Sequence, residues 1–256
     1  MIVQQIGNGG AFDYDKTNSS FLIDIGTSEK RSLILFDCGY NVFAKLRELE
    51  KEDKDIIKDI EHIWISHLDD DHVGSLKSLI YYRYFIHGLT SAILKNDLEK
   101  SFMYFLSDIN QTMSFGRLEK ANIVFTYNKD ELKNGIYSYK IEPVKTFHHL
   151  ECNGLTIKEM DYQDVESILY ISGDTKVCKG TLEALNDIHS QTFQIGINYK
   201  KYKIFHDYSN WDSYENNVHT CKYDFDKYYL SDAKLKNLEI TKYHNNEQFN
   251  EEWQEI

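Results

Sequence analysis

One short segment, rich in aspartate and histidine, limits what this chain can fold into. Residues 63–76 read IWISHLDDDHVGSL, a strand-like apolar run followed at once by an acidic cluster. The cluster contains two histidines and three aspartates: His67, Asp69, Asp70, Asp71 and His72. Adjacent carboxylates cannot be buried without a positive partner, and imidazole with carboxylate suits zinc, manganese and iron. An acidic helix N-terminus explains Asp70 but not the histidines, so the segment predicts a metal site on a strand-to-helix loop.

Three later segments offer further ligands at the ends of strand-like runs. TFHHLECNG contains His148 and His149, LYISGDT contains Asp174, and ITKYH ends at His244. Taken alone, each has an ordinary explanation: surface or core histidines, or a Gly-Asp turn. Taken with the first segment, they supply enough imidazole and carboxylate groups for more than one ion.

Strand-like and helix-like segments alternate twice along the chain. IVQQIG, SFLIDIG and SLILFDCG precede the amphipathic helix NVFAKLRELEKEDKDI, and a second set of strands precedes the helix VCKGTLEALND. The pattern predicts an α/β protein with two β-sheets packed face to face and helices outside. We expect a single domain over residues 1–256, with a helical insertion at about residues 80–118. Periodicity alone does not separate this architecture from other layered α/β folds.

The net charge limits the kinds of molecule that the protein can bind, and the cysteine content indicates the cellular compartment. The 256 residues include 29 Lys and Arg against 41 Asp and Glu, which gives a net charge of −12. This balance disfavours a nucleic-acid partner, which needs a basic face, but bound divalent ions would still admit a small anionic substrate. The 4 cysteines form no CxxC pair, so we expect thiols in a reducing cytoplasm. We find neither a signal-peptide pattern nor an apolar run of about 20 residues that could span a membrane.

Read together, the ligand-bearing segments resemble the metallo-β-lactamase superfamily. Its motif is His-x-His-x-Asp-His, followed by a His, a bridging Asp and a final His, and residues 67–72 match it except at Asp69. GNGGAF, NSSFLI and LFDCG near the start fit the sequence that precedes this motif. The resemblance implies an αββα sandwich and a centre of two divalent ions, Zn²⁺ or Mn²⁺. It implies these ligands: His67, Asp69 and His148 at one ion, Asp71, His72 and His244 at the other, and Asp174 as the bridge.

Two details of the ligand set need comment. HHLECNG resembles the corresponding segment of tRNase Z enzymes, which favours His148 over His149 as the ligand. Asp69 stands where the motif usually has its second histidine. An oxygen ligand with an added negative charge shifts the preference towards harder ions such as manganese, or weakens the site. A single-metal or inactive site is therefore the alternative.

The resemblance also implies residues that act on the substrate. HVGSLKSLIYYRYF and the HDYS…VHT pattern resemble compact phosphodiesterases, which include tRNase Z relatives and phage anti-Pycsar proteins that cleave cyclic mononucleotides. In such a centre two ions about 3.5–4 Å apart activate a water molecule and neutralise phosphodiester oxygens. Asp71 and His219 are the predicted catalytic residues, with His219 giving a proton to the leaving alkoxide or contacting phosphate. His206 and Asp207 are predicted to orient the site from the second shell; the alternative for both His206 and His219 is an ordinary loop histidine.

Three hypotheses for the function follow. The leading one is a metal-dependent phosphodiesterase of cyclic mononucleotides (cAMP, cGMP, cCMP or cUMP), encoded by a phage against cyclic-nucleotide signalling. Such a protein would act as a homodimer in the host cytoplasm on a small anionic nucleotide. The second is a tRNA 3′-processing nuclease, which the net charge of −12 and the lack of a basic or Gly-Pro-rich arm disfavour. The third is a catalytically weak or inactive member that binds a nucleotide or a host protein, and Asp69 keeps this possibility open.

Overall fold

The computed structural model describes most of the chain as two compact units. The described residues are 1–13, 15–94, 123–126, 132–134, 137–161, 164–193, 201–209, 218–245 and 249–256. The first unit comprises residues 2–129 and 248–254, and the second comprises residues 130–247 with Met1 and residues 255–256. The expectation of one domain over residues 1–256 stays a prediction, and each unit is described by itself.

The described residues of the first unit form a seven-stranded sheet and three helices. Its strands are β1 (Ile2–Gly7), β2 (Ser20–Asp24), β3 (Leu33–Phe36), β4 (Ile60–Trp64), β5 (Ser91–Leu94) and β6 (Ile123–Thr126). Its helices are α1 (Val42–Glu52), α2 (Asp70–Val73) and α3 (Leu76–His87). The short strand β13 (Gln254–Glu255) completes the order β13-β1-β2-β3-β4-β5-β6. β1, β2 and β3 pair antiparallel, whereas β3, β4, β5 and β6 pair in parallel.

The parallel strands of the first unit are covered by helices on a continuous apolar core. Val42 and Leu46 of α1 lie one helical turn apart, and with Leu79 of α3 they pack among buried strand residues such as Leu35 and Ile63. Parallel strands buried in this way read as near-continuous apolar runs, as β3 does, whereas β4 has the half-buried Glu61 and His62 between its buried residues. Because β3 and β4 run parallel, the residues that follow each of them lie at the same edge of the sheet.

A glycine allows the loop after β3 to pack against helix α2. A Cβ atom added at Gly39 would lie only 2.0 Å from the backbone oxygen of Asp71. The backbone of Cys38 also donates a hydrogen bond to the carbonyl of His72 at 2.7 Å. The LFDCG segment is therefore fixed against the helix that carries two of the predicted ligands.

In the part of the chain that the structure describes, the second unit has a six-stranded sheet. Its strands are β7 (Leu132–Asn134), β8 (Tyr137–Lys145), β9 (Asn153–Asp161), β10 (Asp164–Ile171), β11 (Lys201–Asp207) and β12 (Thr241–Tyr243). Its helices are α4 (Lys179–Thr192), α5 (Lys222–Phe225), a π-helical turn (Asp226–Leu230) and a 3₁₀ turn (Leu235–Asn237). The strand order is β12-β11-β10-β9-β8-β7, and β10, β11 and β12 pair in parallel.

Helix α4 packs on the parallel strands of the second unit. Leu185 and Ile188 of α4 share a buried cluster with Ile168, Tyr170 and Ile204 of β10 and β11. This packing leaves the carboxyl ends of β10, β11 and β12 at one edge of the sheet. Ligand-binding residues of α/β proteins are typically found at such an edge.

The described elements correct one expectation and support others. The predicted helical insertion at about residues 80–118 begins with α3, but residues 91–94 form β5 and pair in parallel with β4; residues 95–118 lie outside the described residues. The apolar run of β5 is too short for periodicity to separate strand from helix. All four cysteines are thiols, as expected. Among the described residues, no helix has the length and apolarity needed to cross a membrane.

Candidate functional site

The first unit brings four predicted ligands together after strand β4. His67 and Asp69 lie on the loop between β4 and α2, and Asp71 and His72 lie in α2. His67 Nε2 is 3.3 Å from Asp69 Oδ2, and His72 Nε2 is 3.4 Å from Asp71 Oδ2. The two imidazole rings have centroids 4.1 Å apart. Each Nε2 atom therefore lies beside a carboxylate oxygen, and such a pair of donor atoms can bind a metal cation.

A fifth residue of this group, Asp37, was missed by the sequence analysis. It follows β3 and is buried, with a φ of 59° that aspartate tolerates better than most side chains do. His72 Nδ1 donates to Asp37 Oδ2 at 2.7 Å, and the backbone N–H of Ser66 donates to Asp37 Oδ1 at 2.7 Å. Metal-binding histidines usually donate their second nitrogen to a carboxylate in this way. The available signal was the aspartate of LFDCG, which follows a strand parallel to β4.

The second unit brings together two predicted ligands, the predicted catalytic residue His219, and Asp207, which was expected to orient the site. Asp174 follows β10, Asp207 ends β11, and His244 follows β12. With His219, each offers one ligand atom, and these atoms lie within 4.8 Å of one another. His219 Nδ1 is 2.9 Å from Asp207 Oδ2, and His244 Nδ1 is 3.5 Å from Asp174 Oδ1. We call these four residues the acidic group.

The acidic group holds two buried carboxylates close to each other, which is electrostatically costly. Burial raises the pKa of Asp207, but the charge of His219 and the hydrogen bonds from His219 and His244 together outweigh burial and leave that pKa below its usual value. Burial lowers the pKa of His219, and the carboxylates of Asp207 and Asp174 outweigh it and leave that pKa raised. Like charges brought together in the interior need a positive partner. Oxygen and imidazole donors around such a pair fit a divalent cation.

His148 belongs to the same part of the second unit. Its Nε2 lies 3.9 Å from Asp174 Oδ2, and its ring centroid is 5.7 Å from that of His219. The neighbouring His149 is exposed. His148 therefore stays the candidate ligand of the two.

His206 lies on the other face of strand β11 from Asp207. Successive side chains of a strand point to opposite faces, and the His206 ring hydrogen-bonds through Nε2 to the hydroxyl of Tyr229. Burial lowers the pKa of His206 to about 4, so the ring is neutral at pH 7. The structure thus places His206 in the core behind the strand, apart from the acidic group that it was expected to orient.

Thr175, which the sequence analysis also missed, ties three loops of the second unit together. Its backbone N–H donates to Asp207 Oδ2 at 2.8 Å. Its hydroxyl oxygen accepts from the backbone N–H of Phe147 at 3.0 Å, and its carbonyl accepts from the hydroxyl of Thr220 at 2.9 Å. Asp207 is itself a predicted site residue, Phe147 precedes His148, and Thr220 follows His219. Thr175 therefore sets the relative positions of the loops that carry those residues.

The donor set in each unit fits a divalent metal ion. Four of the seven predicted ligands lie in the first unit and three in the second, and all are imidazole or carboxylate groups. In the acidic group Asp174 and Asp207 are buried, and the side chains of His244 and His219 are 7% and 20% exposed. Zinc accepts nitrogen and oxygen donors, and manganese favours oxygen.

Comparison with known proteins identifies a matching family. The family model described as "Anti-Pycsar protein Apyc1" matches residues 1–255. A curated protein of that description from Paenibacillus sp. (strain J14) is 31% identical over 86 residues. That alignment covers 34% of this chain and 32% of the relative, so the chain matches about a third of the relative's length.

Solved structures identify the fold. The metallo-β-lactamase fold protein YhfI from Bacillus subtilis matches with a TM-score of 0.60 and 16% identity, over 95% of this chain and 86% of that chain. Human tRNase Z, short form, matches with a TM-score of 0.61 and 15% identity, over 100% of this chain and 99% of that chain. The chain has the metallo-β-lactamase fold, which confirms the predicted fold class.

Proposed function

The chain belongs to the anti-Pycsar protein Apyc1 family, and from this membership we propose that it is a metal-dependent phosphodiesterase that hydrolyses cyclic mononucleotides. The candidate substrates are cAMP, cGMP, cCMP and cUMP. The observation that carries the proposal is the acidic group, in which Asp174, Asp207, His219 and His244 place their donor atoms within 4.8 Å of one another. Buried carboxylates and imidazoles of this kind suit a divalent ion better than they suit a protein core.

The proposed ligands are the seven that the sequence predicts. They are His67, Asp69, Asp71, His72, His148, Asp174 and His244. The proposed cofactors are two divalent ions, Zn²⁺ or Mn²⁺. When bound, such ions supply a reactive water near neutral pH and neutralise charge on phosphodiester oxygens.

Residues of the chain would move and hold the protons. Asp207 holds the His219 ring through Nδ1 at 2.9 Å, so Nε2 is the proposed atom for the contact with the leaving oxygen or a phosphate oxygen. Asp71 is buried beside His72 and is the proposed acceptor for a proton of the attacking water. Buried carboxylates and imidazoles in fixed orientations are the usual groups for general acid–base catalysis.

The biological setting follows from the family description. An anti-Pycsar protein would remove a cyclic-nucleotide defence signal, so the proposed place of action is the cytoplasm of the host bacterium. A homodimer is part of the same proposal, and the mass of the purified protein in solution tests it. A net charge of −12 argues against RNA as the substrate.

The deciding experiment combines metal analysis with a substrate panel. Purified protein would be analysed for metal content and incubated with the four cyclic nucleotides in Zn²⁺, Mn²⁺ or Mg²⁺, with linear products separated by chromatography. Asp71→Asn and Asp174→Asn should abolish turnover, because each removes a charged oxygen donor from the proposed centre. The matched control is Asp70→Asn, which changes an exposed neighbour of Asp71 on the same helix and should leave turnover unchanged.

Other outcomes separate the competing hypotheses. Cleavage of precursor tRNA without turnover of any cyclic nucleotide would identify a nuclease. Stoichiometric nucleotide binding without product in every metal would identify a binding protein. Equal loss of turnover in the Asp70 and Asp71 variants would refute the assignment of Asp71.

A further inference from the structure

Four buried polar side chains of the first unit form a single hydrogen-bonded chain. They are Asp37, Ser66, His67 and His72, and each is at most 1% exposed. Asp37 Oδ2 receives two contacts, from His72 Nδ1 at 2.7 Å and from the Ser66 hydroxyl at 2.8 Å. The Ser66 hydroxyl oxygen also lies 3.0 Å from His67 Nδ1. Water has no access to replace any of these partners.

Counting protons assigns a direction to every bond in this chain. An ionised carboxylate only accepts hydrogen bonds, and a serine hydroxyl has one proton to give. Ser66 gives that proton to Asp37, so its oxygen meets His67 Nδ1 with a lone pair. The bond between them therefore forms only when His67 carries its proton on Nδ1.

The same carboxylate fixes the second ring directly. Asp37 can accept from His72 only when that ring also carries a proton on Nδ1. Both rings then carry the proton on Nδ1, which leaves Nε2 unprotonated, with a lone pair that can accept or coordinate. Those Nε2 atoms are the ones that lie 3.3 Å from Asp69 and 3.4 Å from Asp71.

We propose that Ser66 is a positioning residue for His67. Its hydroxyl donates to Asp37 and can therefore only accept from His67, which requires the His67 proton on Nδ1. Asp37 thereby sets the tautomer of two histidines, His72 by direct contact and His67 through the serine hydroxyl. Both rings are held in the form that offers Nε2 to a cation. The binding of a catalytic cation rests on the proposed function, whereas the tautomers of His67 and His72 are a property of the metal-free protein.

The hydroxyl of Ser66 can be removed with little other change. The backbone N–H of Ser66 makes its own hydrogen bond to Asp37 Oδ1 at 2.7 Å, and this bond remains in Ser66→Ala. Ser66→Thr keeps the hydroxyl and serves as the rescue variant. The matched control is Ser32→Ala. Ser32 is a buried serine of the same unit, and its hydroxyl donates to the carboxylate of Glu61 at 2.7 Å without contacting a predicted metal ligand.

The test reads the tautomers directly. Protein labelled with ¹⁵N-histidine would be freed of metal with a chelator, and two-bond ¹H–¹⁵N spectra would show which ring nitrogen is protonated; His→Gln variants assign the signals. In the wild type, His67 and His72 should both carry the proton on Nδ1. In Ser66→Ala, His67 should become a mixture of tautomers while His72 stays unchanged. Ser32→Ala should leave both rings unchanged.

Metal affinity provides the second readout. Zn²⁺ and Mn²⁺ dissociation constants, measured by competition with a chelator, should rise about 10- to 100-fold in Ser66→Ala and return towards the wild-type value in Ser66→Thr. A wild-type His67 protonated on Nε2 would overturn the proposal, even if the variant fails to fold. So would a Ser66→Ala protein in which His67 keeps only the Nδ1 form. Because neither readout needs turnover, the inference can stand if cyclic nucleotides are not hydrolysed, and it can fail if they are.

Discussion

Replacing Thr175 with valine should weaken both the second unit and its metal binding. Thr175 is fully buried, and its hydroxyl oxygen accepts from the backbone N–H of Phe147 at 3.0 Å and donates to the carbonyl of Lys176 at 2.6 Å. Valine has nearly the same shape but neither of these hydrogen bonds. Phe147 directly precedes His148, so losing the hydrogen bond to its N–H should shift the position of a predicted ligand.

The size of the effect follows from the groups left unpaired. A donor that loses its acceptor inside a protein costs about 1–3 kcal/mol. The bond to Lys176 joins neighbouring residues, so we assign it little weight. We therefore expect the free energy of unfolding to fall by about 1–3 kcal/mol in Thr175→Val, a loss of roughly 2–12 °C in Tm for a chain of this size. A shift of about 1 Å in a ligand-bearing loop can cost 100-fold in rate.

Thr175→Ser is the matched control, since it keeps the hydroxyl and removes a methyl group. Losing that methyl group should cost about 1 kcal/mol of stability, with metal affinity and turnover close to those of the wild type. Urea denaturation would give the stability, and chelator competition would give the affinity. The reasoning is refuted if the serine and valine variants lose metal affinity equally, or if valine changes neither quantity.

Three further predictions concern other parts of the chain. Burial lowers the pKa of His62 below 6.5 against the opposing charge of Glu61, so the unfolded state binds more protons below pH 6.5. Stability should therefore fall between pH 7 and pH 5, and His62→Gln should flatten part of that fall in urea titrations. Gly39→Ala should cost several kcal/mol or prevent folding, because its Cβ would lie 2.0 Å from the oxygen of Asp71; a thermal melt like that of the wild type would contradict this. Asp69→His should raise the ratio of Zn²⁺ to Mn²⁺ affinity, and competition titrations giving an unchanged ratio would contradict it.

The ligand segments could be predicted because their signals are local. A strand-like run followed by histidines and aspartates can be recognised within about ten consecutive residues. No contact with a distant part of the sequence has to be known. Asp174 and His244 could be proposed as ligands for the same reason, since each follows a recognisable strand. The parallel pairing of β10, β11 and β12 then gathers such strand ends at one edge.

The residues that support these ligands could not be predicted because their partners are distant in sequence. Asp37 meets Ser66 and His72 only because β3 and β4 pair in parallel with Phe36 beside Trp64. Nothing in the sequence around LFDCG reveals that register. The same limit explains Thr175, whose partners come from the end of β11 and from two separate loops.

His206 shows a different limit, the phase of a strand. The segment KYKIFHDYS predicts a strand but not which of His206 and Asp207 faces the acidic group. A shift of one residue reverses every side chain of a strand. The contacts of His206 with Tyr229 and of Asp207 with His219 show which side chain lies on which face.

The one departure from the usual motif falls where the chain tolerates change best. The Asp69 side chain is 29% exposed, whereas those of His67, Asp71 and His72 are at most 6% exposed. His67 and His72 are also fixed by the hydrogen-bonded chain from Asp37, so exchanging either would leave a buried polar partner unsatisfied. At Asp69 an imidazole can be exchanged for a carboxylate without disturbing that chain. The exchange therefore changes the hardness and charge of one donor while the two fixed imidazoles stay in place. This is the physical reason to expect the Asp69→His variant to change the choice of ion and leave the free energy of unfolding within about 0.5 kcal/mol.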